Sequence, residues 1–149
     1  EFCEVNKECP YFKEEKFIFP EKKELKVTTQ DLLDKNVDKK YFLTRKLEKT
    51  ILGEGTKGYI VKPTIDQEIS KTLTATMHKM HRAGEDNYVT TNGKIRRLTP
   101  RECLRLMGFT DDFKIVVSDT SMYQQAGNSI VVDVLIAILK QLDIEKYGE

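Results

Sequence analysis

The sequence predicts an α+β fold: a β-rich middle with short helices around it, followed by a helical last third. Three observations carry that expectation. Residues 88–98 read as a hairpin, because Asn92-Gly93 tolerates the positive φ of a type I′ turn. Thr99-Pro100-Arg101-Glu102 reads as a helix start, with Thr as N-cap, Pro at the first helical position and Glu closing a capping box. Residues 129–142 are apolar at nearly every position, as in a helix that needs burial on several sides.

Composition bounds the answer without deciding it. A chain of 149 residues is enough for one domain or one and a half, and buries roughly 70% of its unfolded surface. Hydrophobic residues at 39% and charged residues at 33% exclude collagenous and low-complexity classes. No apolar run approaches the ~20 residues of a membrane helix, and no secretory leader opens the chain. Three cysteines at irregular spacing make no disulfide framework, so a reduced cytosolic setting is expected. The first residue is Glu1, and the chain is expected to start downstream of its gene's start.

The net charge of +1 is unevenly spread: −1 over residues 1–43, +6 over 44–101 and −4 over 102–149. A basic middle third between acidic flanks is the footprint of a polyanion-facing surface, and equally of a solvated, salt-bridged one.

In chain order, residues 4–26 are dense in Glu and Lys, broken by Tyr11, Phe12 and Phe17-Ile18-Phe19-Pro20, and keep no period. They read as an irregular wrapping segment. Thr28 and Asp31 stand at capping-box spacing for a short helix, and a second short helix follows Thr44. Cys3 with Cys9, and His78 with His81, lack partner pairs at zinc-site spacing, so no metal is expected. Gly53, Gly55 and Gly58 with Lys57 form a glycine loop that lacks the Gly-Lys-Ser/Thr closure of a phosphate loop. Residues 69–77 alternate, with Ile69, Leu73, Ala75 and Met77 on one face and Ser70, Thr72, Thr74 and Thr76 on the other, which predicts a strand. Leu98 and Cys103 sit at staple positions of the helix that Gly108 ends. Ser121 and Gln124 predict a single turn ended by Gly127, and Asn128 then caps the long apolar helix.

Residues 97–109 (Arg97-Leu98-Thr99-Pro100-Arg101-Glu102-Cys103-Leu104-Arg105-Leu106-Met107-Gly108-Phe109), followed by Asp111-Asp112-Phe113, resemble the ninth conserved block of the cytosine-5 DNA methyltransferases. Tyr123-Gln124-Gln125-Ala126-Gly127-Asn128-Ser129-Ile130-Val131-Val132 resembles their tenth. Thr110 stands where Pro is usual and Met107 where Gln is common. Upstream, the Phe-Pro segment, the Asp-Leu-Leu turn, the glycine loop and the Thr72-Leu73 pair are similar to the family's target-recognition region.

The resemblance implies a target-recognition domain over residues 1–117. It also implies a tenth-block segment, 118–149, whose helix packs on a Rossmann-like, S-adenosylmethionine-dependent catalytic domain. The family's Pro-Cys nucleophile and Glu-Asn-Val block do not occur here, since no Pro precedes Cys3, Cys9 or Cys103. No catalytic residue is therefore assigned, and the catalytic domain is expected elsewhere in the same protein or in a partner subunit. The family's enzymes flip a cytosine from the duplex and read its surroundings with a separate surface.

For that surface, loop position and chemistry select Lys57, Thr72, Lys79 and Arg82 as double-stranded DNA contacts. Arg96, Arg97 and Arg101 offer backbone contacts, or braces between hairpin and helix. Asn128 and Ser129 are implied to lie beside S-adenosylmethionine, although capping alone would also explain Asn128. The implied activity is cytosine-5 methylation of DNA in a bacterial, cytoplasmic restriction-modification system. A tRNA methyltransferase of the same class and a non-catalytic DNA-binding specificity subunit are the alternatives.

Overall fold

The computed structural model describes residues 19–22, 24–53 and 64–141. The readings placed on Cys3, Cys9, the aromatic stretch before Phe19 and the glycine loop from 54 onward, Lys57 included, lie outside the described residues. In chain order there are two 3-10 turns (Gln30–Leu32 and Lys39–Tyr41), helix α1 (Arg45–Leu52), strands β1 (Tyr88–Thr91) and β2 (Lys94–Arg97), and helices α2 (Pro100–Leu106), α3 (Asp119–Asn128) and α4 (Val132–Gln141). The α+β class holds. The β-rich middle does not: among the described residues the sheet is one antiparallel pair.

That pair forms as the turn signal predicts. Asn92 and Gly93 both take positive φ, 52° and 71°, and the register sets Tyr88 opposite Arg97 and Val89 opposite Arg96. Both edges are closed by single residues rather than strands. Phe42 bridges Arg96, and the Leu43 N–H donates to the Ile95 carbonyl at 3.0 Å; on the other side Ile65 bridges Tyr88. Capping this way leaves no long unpaired edge beside the hairpin.

Helix α2 carries the capping box in full, with Pro100 at its start and Gly108 at φ 85° just past its end. Leu98 and Cys103, the staple pair, are both buried in one core with Leu73, Val89, Met107, Tyr123 and Ala126. Burial pushes the Cys103 thiol up, so it stays protonated and serves as packing.

Beside this core lies a buried ion pair. The Arg96 guanidinium donates both Nη1 and Nη2 to Glu102 at 2.8 Å each, and both side chains are 0% exposed. Arg96 also donates through Nε to Thr91 Oγ1 and through Nη1 to the Arg97 carbonyl. Glu102 accepts further from the backbone N–H groups of Thr99 and Asp34. Arg105 adds a second tie on the same side, donating to Asp34, to the Leu32 carbonyl and, as a two-pronged pair, to Asp111.

Four local expectations are corrected. Residues 69–77 form no strand: they have no strand partner among the described residues, and 75–79 are turn. Their two faces do not separate either, since Ile69 is 65% exposed while the Thr74 hydroxyl is buried. At Thr28 and Asp31 only the Asp31 half of the box exists. Its carboxylate accepts from the Thr28 N–H and hydroxyl, and the helix is a single 3-10 turn. Helix α3 is capped by Ser118 and runs through Gly127 and Asn128, so neither a stop at 127 nor a cap at 128 exists. Finally, 119–141 is long and apolar enough to cross a membrane by length and composition alone. It is nonetheless two helices with extended backbone at Ser129 between them.

Helix α4 has no buried residue, and Val134, Leu135, Ile136 and Leu139 are all exposed. Its start is fixed by the Val132 N–H donating to the Met107 carbonyl at 2.9 Å, with Val131 packed on the core.

Replacing Glu102 by Gln should destabilise the chain by about 3 kcal/mol or more, because it leaves the Arg96 charge buried without a counter-charge. Arg101→Ala, which removes only bonds to the Thr110 and Phe113 carbonyls, should cost less than about 1 kcal/mol. Urea titrations of the two variants check this, and equal losses would contradict it.

Candidate nucleic-acid interface

The segment in place of the expected strand is irregular but well held. The Lys71 N–H donates to Asn87 Oδ1 at 2.8 Å, and Asn87 Nδ2 donates back to the Lys71 carbonyl at 3.0 Å. Leu73 anchors in the core two residues later, so Thr72 stands exposed between two fixed points. A tight turn follows, with the Met77 N–H donating to Thr74 and the Lys79 N–H to Thr76, and it leaves Lys79 exposed. Arg82 is half-buried and already committed locally: Nη1 pairs with Glu85 at 2.7 Å, and its N–H donates to Asp86 Oδ2.

Behind this surface runs a polar chain that the sequence did not signal. An Arg97 Nη2 lies 2.6 Å from His81 Nε2; since a guanidinium can only donate, that ring nitrogen accepts. The ring proton is then on Nδ1, 3.2 Å from the Tyr88 hydroxyl, which donates onward to Asp86 Oδ2. Burial, and secondarily the Arg97 charge, lowers the His81 pKa from its usual 6.5. Burial raises that of Asp86, whose Oδ1 is buried with no hydrogen-bond partner among the described residues. His81 and His78 line different clefts.

Arg97 also lines a cleft of about 160 Å³ with Lys40, Tyr41, His78, Asp119, Thr120 and Tyr123. Here Lys40 Nζ at 2.6 Å and the Tyr41 hydroxyl at 2.8 Å both donate to Asp119, and they hold its carboxyl below the usual value. That trio ties the second 3-10 turn to the start of α3. It joins residues about 80 positions apart, and no periodic signal could have revealed it.

The structure thus sorts the candidate residues. Thr72, Lys79, Arg82 and Arg97 share the region formed by 71–87 and the end of β2. Arg96 is a brace, with no exposed guanidinium to offer a phosphate, and Arg101 braces the loop after α2. Asn128 is exposed at the last position of α3, and its side chain makes no hydrogen bond to another described residue. Ser129 is the C-cap, its hydroxyl donating to the Ala126 carbonyl at 3.1 Å. The pair therefore lies at a helix C-terminus, not at the N-terminus expected. The carbonyl end of a helix favours a cationic group.

The comparisons with known proteins agree with the two blocks. The profile of the C-5 cytosine-specific DNA methylase family matches residues 3–143, and the chain belongs to that family. A DNA-cytosine methyltransferase of Escherichia coli K12 is 39% identical over 145 residues, covering 79% of this chain and 31% of that protein. The type II methyltransferase M.SsoII of Shigella sonnei is 36% identical, covering 86% and 35%. M2.ScrFI of Lactococcus lactis subsp. cremoris is 38% identical, covering 86% and 37%. The chain spans about a third of the length of these relatives. Among solved structures, the Entamoeba histolytica methyltransferase EhMeth superposes with a TM-score of 0.62 at 22% identity, covering 90% of this chain and 45% of that one. At that identity it supports the fold alone.

A pH dependence follows from His81. Its pKa is lower folded than unfolded, so its contribution to stability is full above about pH 6.5 and is lost as pH falls through the folded value. Thermal unfolding between pH 7.5 and 5 should show a smaller stability loss in His81→Gln than in the unsubstituted chain. Asp86 titrates with the opposite sign, so its own contribution rises as the pH falls and works against the loss.

Proposed function

We propose that the chain is the target-recognition third of a DNA (cytosine-5-)-methyltransferase, cytoplasmic and part of a bacterial restriction-modification system. The observation that carries this reading is the family match over residues 3–143, in which the ninth and tenth blocks fold against one core. In the complete enzyme, S-adenosylmethionine supplies the methyl group that is transferred to C5 of a cytosine flipped from double-stranded DNA.

This chain contributes no catalytic residue. Thr72, Lys79, Arg82 and Arg97 face the DNA, with Lys57 from the glycine loop. The exposed Asn128 amide and the neighbouring Ser129 fit one polar edge of the cofactor: a donor and an acceptor are available at the carbonyl end of α3, which suits a cationic ligand group. In the division into a recognition domain, 1–117, and a catalytic-domain segment, 118–149, α3 is the shared element, because its Tyr123 and Ala126 are buried in one core with Leu73, Val89 and Leu98. Helix α4 docks on the Rossmann-like catalytic domain, of the same protein or of a partner subunit. A protein cover suits it better than a bilayer, since the apolar stretch is broken at Ser129 and its first half is committed to the core.

The complete enzyme should transfer label from S-adenosylmethionine to cytosine C5 of duplex DNA. Lys79→Ala should weaken duplex binding and reduce the slope of log K against log salt by about 1, as loss of one phosphate contact requires. Label on folded RNA and none on any duplex would overturn the reading.

A further inference from the structure

Gly127 breaks the pattern of its helix. It is the penultimate residue of α3, its φ is not positive, and it neither ends the helix nor allows a turn. Glycine at such a position weakens a helix by roughly 1 kcal/mol relative to Ala. Its purpose is on the outside of the helix. A Cβ built there would lie 2.3 Å from the Ala75 backbone nitrogen, 2.3 Å from the Thr74 carbonyl carbon and 2.7 Å from the Ala75 Cα. All three are main-chain atoms, so no side-chain rotation could make room. The backbone of 74–75 lies directly on the bare face of α3.

We infer that Gly127 is a positioning residue for DNA recognition: it seats the turn that presents Lys79 onto the helix that leads to Asn128 and Ser129. Two further ties show why a shift at this seat is felt at Lys79. Leu73, one residue before the contact, is locked in the core, and the Met77 N–H bonds back to the Thr74 carbonyl to form the turn that ends at Lys79. Restoring ordinary contact with a methyl group at 127 moves the 74–75 backbone by about 1 Å, since real Cβ atoms essentially never approach closer than 3.0 Å. Lys79, at the end of the turn that begins at Thr74, moves with them, whereas Thr72 stays between its Lys71 and Leu73 anchors. Helix α3 is held by its buried Met122, Tyr123 and Ala126, whereas residues 74–77 are only half-buried, so the 74–75 backbone yields and the cofactor turn is spared. The inference rests on the proposed function, because it assumes that the 71–79 segment meets DNA.

The test is steady-state kinetics of Gly127→Ala in the complete methyltransferase. The expected result is a rise in KM for duplex DNA of roughly tenfold, as an ångström-scale misplacement of binding groups produces, with KM for S-adenosylmethionine within about twofold. An unchanged KM for DNA would overturn the inference. So would a loss of kcat in proportion to unfolded protein with both KM values unchanged, because that is the signature of a merely structural role. Should the variant fail to fold, hydrogen exchange on the unsubstituted enzyme decides. Saturation with duplex DNA should slow exchange of the amides of residues 74–79, which the seat presents, and no change there would overturn the inference. An unsubstituted enzyme that methylates no duplex would sink the proposed function; one that does, beside a variant with normal KM for DNA, would sink this inference alone.

Discussion

The carboxylate of Glu102 is the joint on which the described fold depends. Its two oxygens accept from both ends of the Arg96 guanidinium on β2, from the Thr99 N–H that opens α2 and from the Asp34 N–H of the segment before α1. One side chain thereby closes a capping box, fixes the hairpin against the helix and ties down a loop almost 70 residues earlier in the chain. Burying a charge pair carries a desolvation penalty and is repaid only when every donor and acceptor is used. That condition is nearly met here, with four bonds from Arg96 and four onto Glu102. A small core, seven buried side chains among the described residues, gains from such a joint a fixed orientation of its layers rather than great stability.

That orientation sets the candidate interface. With β2 locked, Arg97 is held at the next position, between His81 on one side and the cleft of Lys40, Tyr41 and Asp119 on the other. The 71–87 segment then needs no sheet partner. The Asn87 clamp, the Leu73 anchor and the Gly127 seat hold it in three places, and the exposed polar residues emerge between them. Its irregular backbone is suited to a recognition surface, because specificity carried by loops on a rigid support can vary without rebuilding the core.

Much of this was legible where the signal is local. Asn92-Gly93 gave the hairpin and its turn type, and Thr99-Pro100-Arg101-Glu102 gave α2 with its complete box, because turn and cap chemistry involves neighbours only. The two methyltransferase blocks carried the family. What was illegible depends on distant partners. The alternation at 69–77 mimics a strand, yet a strand exists only if another pairs with it, and Asn87 and Gly127 engage that backbone instead. Gly127 and Asn128 looked like a stop and a start; Ser118 had capped the helix earlier, and the glycine serves a contact some 50 residues away. Arg96 read equally as a phosphate contact or a brace until its burial against Glu102 settled which.

Helix α4 joins the fold to the proposed function. It is largely apolar, anchored at one end by Val132 to Met107, and has no buried residue, with Val134, Leu135, Ile136 and Leu139 exposed. The chain spans about a third of the length of its relatives, and the proposed function assigns that cover to a catalytic domain. The direct measurement is hydrogen exchange over residues 132–141, in the isolated chain as a dilute monomer and in the complete methyltransferase. Rapid exchange in the isolated chain and strong protection in the complete enzyme are the predicted result. Firm protection of α4 in the dilute monomer would contradict the account, because the chain would then carry its own cover for that helix.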